Sequence, residues 1–227
     1  MVIDEYSNQI DVCLEVFAKT LFIIHCSLYI FPVPKPYVPN DKWSQRAAKE
    51  GYRARSVFKL MELDERFHLL EPGMHVLDLG AAPGSWLQYA SKKIFNGHAL
   101  GLDLQEIAKI GPNVTTRVCD ILDPVKVGEE LKALAWKNVD LILSDLAPNT
   151  SGIKDVDQWR SVELCAAVLT LAQQYLKRRG TVVMKIFRGR DFDAFIQRVR
   201  VHFPILKIVT VKASRDRSRE VYVVAKR

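Results

Sequence analysis

From residue 75 onward, short apolar segments alternate with longer stretches whose apolar residues recur at helical spacing. The strands predicted from the apolar segments cover 75–79, 98–104, 114–120, 139–145, 180–187, 206–211 and 220–226. The helices predicted between them cover 85–94, 126–136, 157–178 and 191–202. Such alternation builds βαβ units, whose strands form a mostly parallel sheet with helices on both faces. The short connection between the last two strands predicts an antiparallel pair at the end of the sheet.

This layout resembles that of the class I S-adenosylmethionine-dependent methyltransferases, which have a Rossmann-like α/β fold. The prediction is about seven strands, mostly parallel, with an antiparallel C-terminal strand and helices on both faces. A chain of 227 residues is long enough to bury one substantial core. Helical spacing upstream of the first strand extends the regular pattern back to residue 41. We therefore predict one domain over residues 41–227.

The first forty residues do not fit this pattern. Their apolar run at 21–31 is eleven residues long, which is too short to span a bilayer. It has neither the cleavage site of a secretory signal nor the arginine content of a transit peptide. A proline-rich segment at 32–39 follows it and is typical of an extended linker. We interpret residues 1–40 as an N-terminal appendage of unknown role, and we expect no membrane partner.

Charge and cysteine usage narrow the class of partner and the compartment. The chain has a net charge of +7, and residues 1–40 contain four acidic residues and two lysines, so residues 41–227 carry +9. A basic domain fits a polyanionic partner such as RNA, although a merely soluble basic protein would have the same charge. Four cysteines without C-x-x-C spacing predict neither a metal site nor a disulfide framework. We expect a cytoplasmic monomer.

A glycine-containing turn follows the first predicted strand, where residues 78–86 read DLGAAPGSW. Gly80 and Gly84 remove side chains where the chain must turn sharply and approach a ligand, and the following helix offers free N–H groups. The turn lacks the G-x-G-x-x-G spacing of a dinucleotide site. Pro83 also lacks an N–H group, which disfavours a pyrophosphate ligand. An NAD-dependent oxidoreductase is therefore the weaker hypothesis.

Three acidic residues end the next three predicted strands: Asp103, Asp120 and Asp145. The carboxyl ends of parallel strands form the ligand-binding edge of such a sheet. There, Asp103 is placed to accept hydrogen bonds from ribose hydroxyls and Asp120 from an adenine amino group. The pattern predicts a cofactor of the adenosine type. Trp86, directly after the glycine turn, is a further candidate contact, although a tryptophan there is also typical of a core.

A lysine interrupts the apolar segment TVVMKIF at position 185. Lysine is rarely buried without a partner, so Lys185 is either an edge residue that reaches solvent or a functional group near the tip of its strand. Lys59 in SVFKL and Glu220 at the start of EVYVV complete, with Asp145, a set of two acids and two bases.

Five segments together resemble the FtsJ/RrmJ family of ribose 2′-O-methyltransferases: RARSVFKL, DLGAAPGSW, SDLAPNTSG, MKIFRG and RDRSREVYVVA. The similarity runs from about residue 42 to the C-terminus. The resemblance implies S-adenosylmethionine as the cofactor, and a uridine of large-subunit ribosomal RNA or the assembled large subunit as the substrate. It implies a catalytic tetrad at Lys59, Asp145, Lys185 and Glu220, with Lys185 as proton acceptor. It implies cofactor contacts at Gly84, Trp86, Asp103, Asp120 and Asp145.

The family's turn often continues Gly-Gly-Trp, whereas this chain has Ser85, which adds a Cβ near the ligand or caps a helix. Basic clusters precede Lys59 and Glu220, and from them we predict that Arg53, Arg55 and Arg217 contact RNA phosphates. A solvent-exposed role for each arginine stays open. Two alternatives also stay open: a catalytically silent RNA-binding or ribosome-assembly factor of the same fold, and a methyltransferase acting on transfer RNA.

Overall fold

The computed structural model describes residues 42–214 and 218–227. Their helices are α1 Lys42–Lys49, α2 Val57–Phe67, α3 Ser85–Lys93, α4 Pro124–Ala133, α5 Lys154–Tyr175 and α6 Phe192–His202. Their strands are β1 His75–Leu79, β2 His98–Asp103, β3 Val114–Val118, β4 Val139–Ser144, β5 Leu176–Phe187, β6 Ile205–Val209 and β7 Glu220–Lys226. The predicted appendage and Arg217 lie outside the described residues. Within them, no helix is long and apolar enough to cross a membrane.

The seven strands form one sheet in the order β3-β2-β1-β4-β5-β7-β6. Strand β7 is antiparallel to both of its neighbours, and the other paired strands are parallel. Apolar residues of α2 and α3 pack on one face of the sheet, and those of α4, α5 and α6 pack on the other. The predicted Rossmann-like fold is therefore confirmed, including the antiparallel C-terminal strand.

The strand order reverses between β1 and β4, which are neighbours in the middle of the sheet. The segments that leave these two strands diverge, because β1 continues toward β2 and β4 toward β5. In open α/β sheets this divergence creates a crevice beyond the carboxyl ends of the strands. Gly80 follows β1 and Asp145 follows β4, so both lie at the crevice.

Several predicted element ends are wrong, for local reasons. Helix α4 begins two residues before the predicted start because the Asp123 carboxylate accepts hydrogen bonds from the N–H groups of Val125 and Lys126, with Pro124 in the first turn. It ends early, and Ala135 lies beyond it with φ at 58°. Strands β2, β3 and β4 are one or two residues shorter than predicted. The helical stretch from residue 41 is two helices, α1 and α2, separated by a turn.

The largest difference lies at the junction of α5 and β5. The predicted helix 157–178 instead covers Lys154–Tyr175, because Leu176 already pairs with Val139 of β4. The register then shifts between Val139 and Leu141, which leaves a three-residue bulge of exposed basic side chains at 177–179. Arg179 within it has φ at 69°. Charged residues at helical spacing were thus assigned to the helix, although the sheet places them in a strand.

Candidate active site

Four side chains from distant parts of the chain meet at the carboxyl end of the sheet. Lys59 Nζ lies 2.6 Å from Glu220 Oε1 and 3.6 Å from Asp145 Oδ1. Lys185 Nζ lies 2.9 Å from Asp145 Oδ1 and donates a hydrogen bond to the Asp145 backbone carbonyl at 2.6 Å. The structure thus brings the four residues of the predicted tetrad together, with two ammonium groups alternating with two carboxylates.

Strand pairing explains this convergence. In the antiparallel pair β5–β7, Lys185 lies opposite Tyr222 and Phe187 opposite Glu220. Successive side chains of a strand point to opposite faces, so Glu220 and Tyr222 share a face.

Lys185 is only 6% exposed, so it is not an edge lysine that reaches solvent. A buried lysine of this kind requires a carboxylate partner, which Asp145 provides.

Tyr222 is a member of the cluster that the sequence reasoning missed. Its hydroxyl donates a hydrogen bond to Asp145 Oδ1 at 2.6 Å and lies 3.5 Å from Glu220 Oε1. Burial, and then the carboxylates of Asp145 and Glu220, raise the pKa of Tyr222 well above its ordinary value, so it stays a neutral donor. The period-two alternation of EVYVV was an available signal, because it places Tyr222 on the same face as Glu220.

Asp145 is the centre of the cluster. Burial by itself acts to raise the pKa of Asp145, but the Lys185 and Lys59 ammonium groups and the Tyr222 hydroxyl outweigh it. The net pKa is lowered, so the carboxylate is ionised at neutral pH. One oxygen, Oδ1, has all three groups as partners. Asp145 therefore fixes the position of the Lys185 amino group.

A cleft of about 390 Å³ adjoins this cluster and is lined by Gly80, Asp103, Asp120 and Asp145 among other residues. Asp103 accepts one backbone hydrogen bond on each carboxylate oxygen, from Ala82 N and Gln105 N, both at 2.9 Å. Asp120 accepts one from Leu122 N at 2.9 Å. Each carboxylate oxygen has two lone pairs, so both side chains keep acceptor capacity for a ligand. The structure thus brings the three predicted strand-end acids to one cleft.

Asp78 adds a fourth carboxylate, which the sequence reasoning missed. It is 1% exposed, and its Oδ2 atom has no hydrogen-bond partner among the described residues. Burial, and then the carboxylates of Asp145 and Asp103, raise the pKa of Asp78 well above its ordinary value. It lines a cavity of about 50 Å³ that shares Gly80 and Asp145 with the larger cleft. Burial and the neighbouring carboxylates disfavour the ionised form of Asp78, and a positively charged ligand in the cavity would favour it.

The family model for the FtsJ-like methyltransferases matches residues 52–227. The chain belongs to the FtsJ-like methyltransferase family. Ribosomal RNA large subunit methyltransferase E from Azoarcus sp. (strain BH72) is 45% identical over 82% of this chain and 90% of its own length. The protein of that name from Desulfatibacillum aliphaticivorans is 43% identical over 82% and 89%. A crystal structure of a ribosomal RNA methyltransferase from Plasmodium falciparum has a TM-score of 0.70 at 30% identity and covers 77% of this chain and 97% of that one.

In this FtsJ-like methyltransferase, Gly84 and Trp86 do not line the large cleft, in contrast to the predicted strand-end acids. Trp86 is 2% exposed, and its indole N–H donates to the Ser56 carbonyl at 2.7 Å. It contributes to the wall of the small cavity but not of the large cleft. Gly84 borders neither; it has φ at 99°, and a Cβ there would lie 3.0 Å from Arg53 Nη1. Among the described residues, the absence of a side chain at Gly84 allows Arg53 to pack closely against the turn.

Ser85 is buried and belongs to the first turn of α3, whose N-cap is Gly84. Of the two roles considered for Ser85, capping of this helix is therefore wrong. Its hydroxyl instead lies 2.8 Å from the hydroxyl of Ser56, one residue before α2. This contact joins the glycine turn to the helix that carries Lys59.

Arg53 also connects these two parts of the site. Its Nη1 donates to the carbonyls of Pro83 and Ala108 at 3.0 and 2.9 Å, and its Nη2 donates to the carbonyl of Lys109 at 3.0 Å. The guanidinium group therefore fastens the glycine turn to the segment that follows β2. This engagement differs from the phosphate contact expected from the sequence. Arg55 lies in the same connection and is half-buried.

Proposed function

We propose that this protein transfers the methyl group of S-adenosylmethionine to the 2′-hydroxyl of a uridine ribose in large-subunit ribosomal RNA. The observation that carries the proposal is the cluster of Lys59, Asp145, Lys185 and Glu220 beside an acid-lined cleft. The names of the relatives support ribosomal RNA as the substrate. We further propose that the protein acts as a monomer in the cytoplasm.

The residues around the cleft fit S-adenosylmethionine. Asp103 would accept hydrogen bonds from its ribose hydroxyls and Asp120 from its adenine amino group. Asp145 supplies negative charge for a cationic ligand, and binding of such a ligand would favour ionisation of Asp78, which has an oxygen without a partner among the described residues. When bound, S-adenosylmethionine supplies an electrophilic methyl group on a positively charged sulfur. A pyrophosphate would add negative charge among these carboxylates, which counts against the NAD-dependent alternative.

Lys185 would act on the nucleophile. An in-line displacement requires accurate alignment, and a ribose hydroxyl attacks better as it loses its proton. Lys185 Nζ has two Asp145 oxygens as partners, which leaves a third tetrahedral position for the hydroxyl. As an amine, Lys185 accepts the proton there; as an ammonium group, it donates a hydrogen bond and orients the hydroxyl. Lys59, Glu220 and Tyr222 keep Asp145, and through it Lys185, in place.

Phosphate contacts are proposed for Arg55 and Arg217. Arg55 precedes the helix that carries Lys59, and Arg217 precedes Glu220. Cations at these positions would hold the RNA backbone on either side of the target ribose. Arg53 supports the cofactor turn in this proposal, because its guanidinium group already bonds three carbonyls.

Replacing Lys185 tests the proposal. Lys185→Ala abolishes methyl transfer, whereas its affinity for S-adenosylmethionine, measured by titration calorimetry, stays close to that of the wild type. Lys132→Ala on the exposed face of α4 is the matched control and retains activity. Loss of cofactor binding in Lys185→Ala would show that the site is misassigned. Wild-type protein that binds the cofactor but methylates neither ribosomal particles, naked ribosomal RNA nor transfer RNA would instead indicate the silent RNA-binding factor.

The pH dependence of the chemical step separates the two roles of Lys185. If Lys185 accepts the proton, the single-turnover rate rises with pH in proportion to the amine form, until that form predominates. If it only orients the hydroxyl, the rate does not rise through a lysine ionisation. A flat profile with full activity therefore contradicts the base role and leaves the orienting role.

A further inference from the structure

A second concave surface lies at the opposite end of the sheet from the tetrad. Its volume is about 330 Å³, and it is formed around the beginning of β5 and β6, the end of β7 and the segment after α2. We call it the basic groove. The basic residues that line it are Lys177, Arg178, Arg179, Lys207 and Lys226.

Within the part of the chain that the structure describes, most of these cations have no acidic partner. Lys177 pairs with Asp140 at 2.8 Å. Among the described residues, none of the other four basic side chains lies within ion-pair distance of a carboxylate. Glu71 is the second acidic residue of the lining. The basic groove therefore has an excess of positive charge, and its cations repel one another unless an anion binds.

The bulge of β5 creates this concentration of charge. The register shift between Val139 and Leu141 leaves three consecutive basic residues of β5 exposed at 177–179. Arg179 has φ at 69°, a left-handed conformation that costs a non-glycine residue about 1 kcal/mol or more. Bulges redirect side chains in this way at functional positions. The fold thus directs successive cations of one strand outward.

We propose that the basic groove binds backbone phosphates of the RNA substrate at a distance from the target nucleotide. Arg179 and Lys185 are six residues apart on β5, which corresponds to about 20 Å at roughly 3.3 Å per residue. A single nucleotide does not reach both places, whereas a folded RNA does. The inference rests on the proposed function, because it assigns the groove to the same substrate. It predicts that the enzyme discriminates between long and short RNA.

The test compares two variants that each remove three positive charges. The first is Arg178→Gln/Arg179→Asn/Lys207→Gln, in which asparagine tolerates the left-handed conformation. The control is Lys132→Gln/Arg198→Gln/Arg200→Gln, on α4 and α6. Filter binding at several salt concentrations uses a long large-subunit RNA fragment and a short oligonucleotide around the target. Lys207→Gln/Lys226→Gln, which leaves the bulge intact, is a second groove variant should the first fail to fold.

The groove variant is expected to bind the long RNA at least about tenfold more weakly. The slope of log affinity against log salt concentration is negative, and its magnitude should decrease by about 2 to 3, which is roughly 0.7 to 0.9 for each lost phosphate contact. Binding of the short RNA and of S-adenosylmethionine is unchanged. Equal losses in the control, or equal losses with short and long RNA, would overturn the inference. These binding measurements do not depend on methyl transfer. If the wild type methylates RNA but the groove and control variants bind RNA equally well, the proposed role of the basic groove is wrong and the proposed function stands.

Discussion

Removing the Tyr222 hydroxyl tests whether Asp145 is held as the structure indicates. Tyr222→Phe keeps the aromatic ring, whose centroid lies 6.1 Å from that of Trp86, and deletes the 2.6 Å hydrogen bond to Asp145 Oδ1. A hydrogen bond to a charged acceptor contributes about 1.5 to 3 kcal/mol. We expect the free energy of unfolding at neutral pH to fall by about that amount. Lys59 and Lys185 still pair with Asp145, so the fold is retained.

The pH dependence of this loss has a definite sign. Against the effect of burial, the two lysines and Tyr222 lower the pKa of Asp145. A carboxyl group with a lowered folded-state pKa adds stability above its unfolded value, and this contribution disappears as pH falls through the folded value. Because Tyr222→Phe removes one lowering contact, the pKa of Asp145 rises in the variant. Its stability deficit is therefore complete above about pH 5 and shrinks below about pH 4.

Urea denaturation at neutral and acidic pH measures the deficit, and single-turnover methylation measures its consequence. A less firmly held Asp145 lets the Lys185 amino group move, and a loss of about 1.4 kcal/mol in alignment would slow the reaction about tenfold. Tyr175→Phe is the control, because the structure gives the Tyr175 hydroxyl no hydrogen bond to the described residues. If the free energy of unfolding of Tyr222→Phe lies within about 0.5 kcal/mol of the wild-type value at neutral pH, or if its deficit does not depend on pH, Tyr222 does not hold Asp145 in the proposed way.

Two further substitutions test residues that support the proposed cofactor cleft. Arg53→Lys keeps the positive charge but loses the guanidinium group that donates to three carbonyls. Calorimetry should therefore show about tenfold weaker S-adenosylmethionine binding, a loss of about 1.4 kcal/mol, whereas the salt dependence of RNA binding should not change. Unchanged cofactor binding with a weaker salt dependence of RNA binding would instead identify Arg53 as a phosphate contact. Asp78→Asn should weaken cofactor binding without lowering the melting temperature, because the raised pKa of Asp78 reflects an unfavourable buried charge. The affinity of the wild type for S-adenosylmethionine should rise with pH as Asp78 ionises, and Asp78→Asn should not show this rise. The same pH dependence in both proteins would contradict the role of Asp78 in cofactor binding.

The fold was largely predictable because its strands are short, apolar and regularly separated by helices. The same regularity located Asp103, Asp120 and Asp145, since residues that end parallel strands must meet at one edge. Lys185 was recognisable because a lysine inside an apolar strand requires a compensating partner. These features depend on local periodicity, which is directly visible in the sequence.

The missed features depend on contacts between distant segments. Asp78 lies within a strand, as predicted, but its pKa is raised by burial and by the Asp145 and Asp103 carboxylates, which lie on other strands or follow them. Arg53 looked like one arginine of a basic cluster, and the carbonyls it bonds lie 30 to 56 residues away. Helical spacing assigned residues 176–178 to a helix, although Leu176 pairs with Val139 in the sheet. Tertiary pairing decided each of these cases.

The proposed acceptor of the methyl group is a ribose 2′-hydroxyl. The measurement combines purified protein, isotopically labelled S-adenosylmethionine and two large-subunit RNA fragments, of which the second has 2′-deoxyuridine at the position that becomes methylated in the first. Nuclease digestion and mass spectrometry then locate the label. We expect labelled 2′-O-methyluridine from the first fragment and no label at that position in the second. Label on a base, or equal labelling of both fragments, would contradict this proposal.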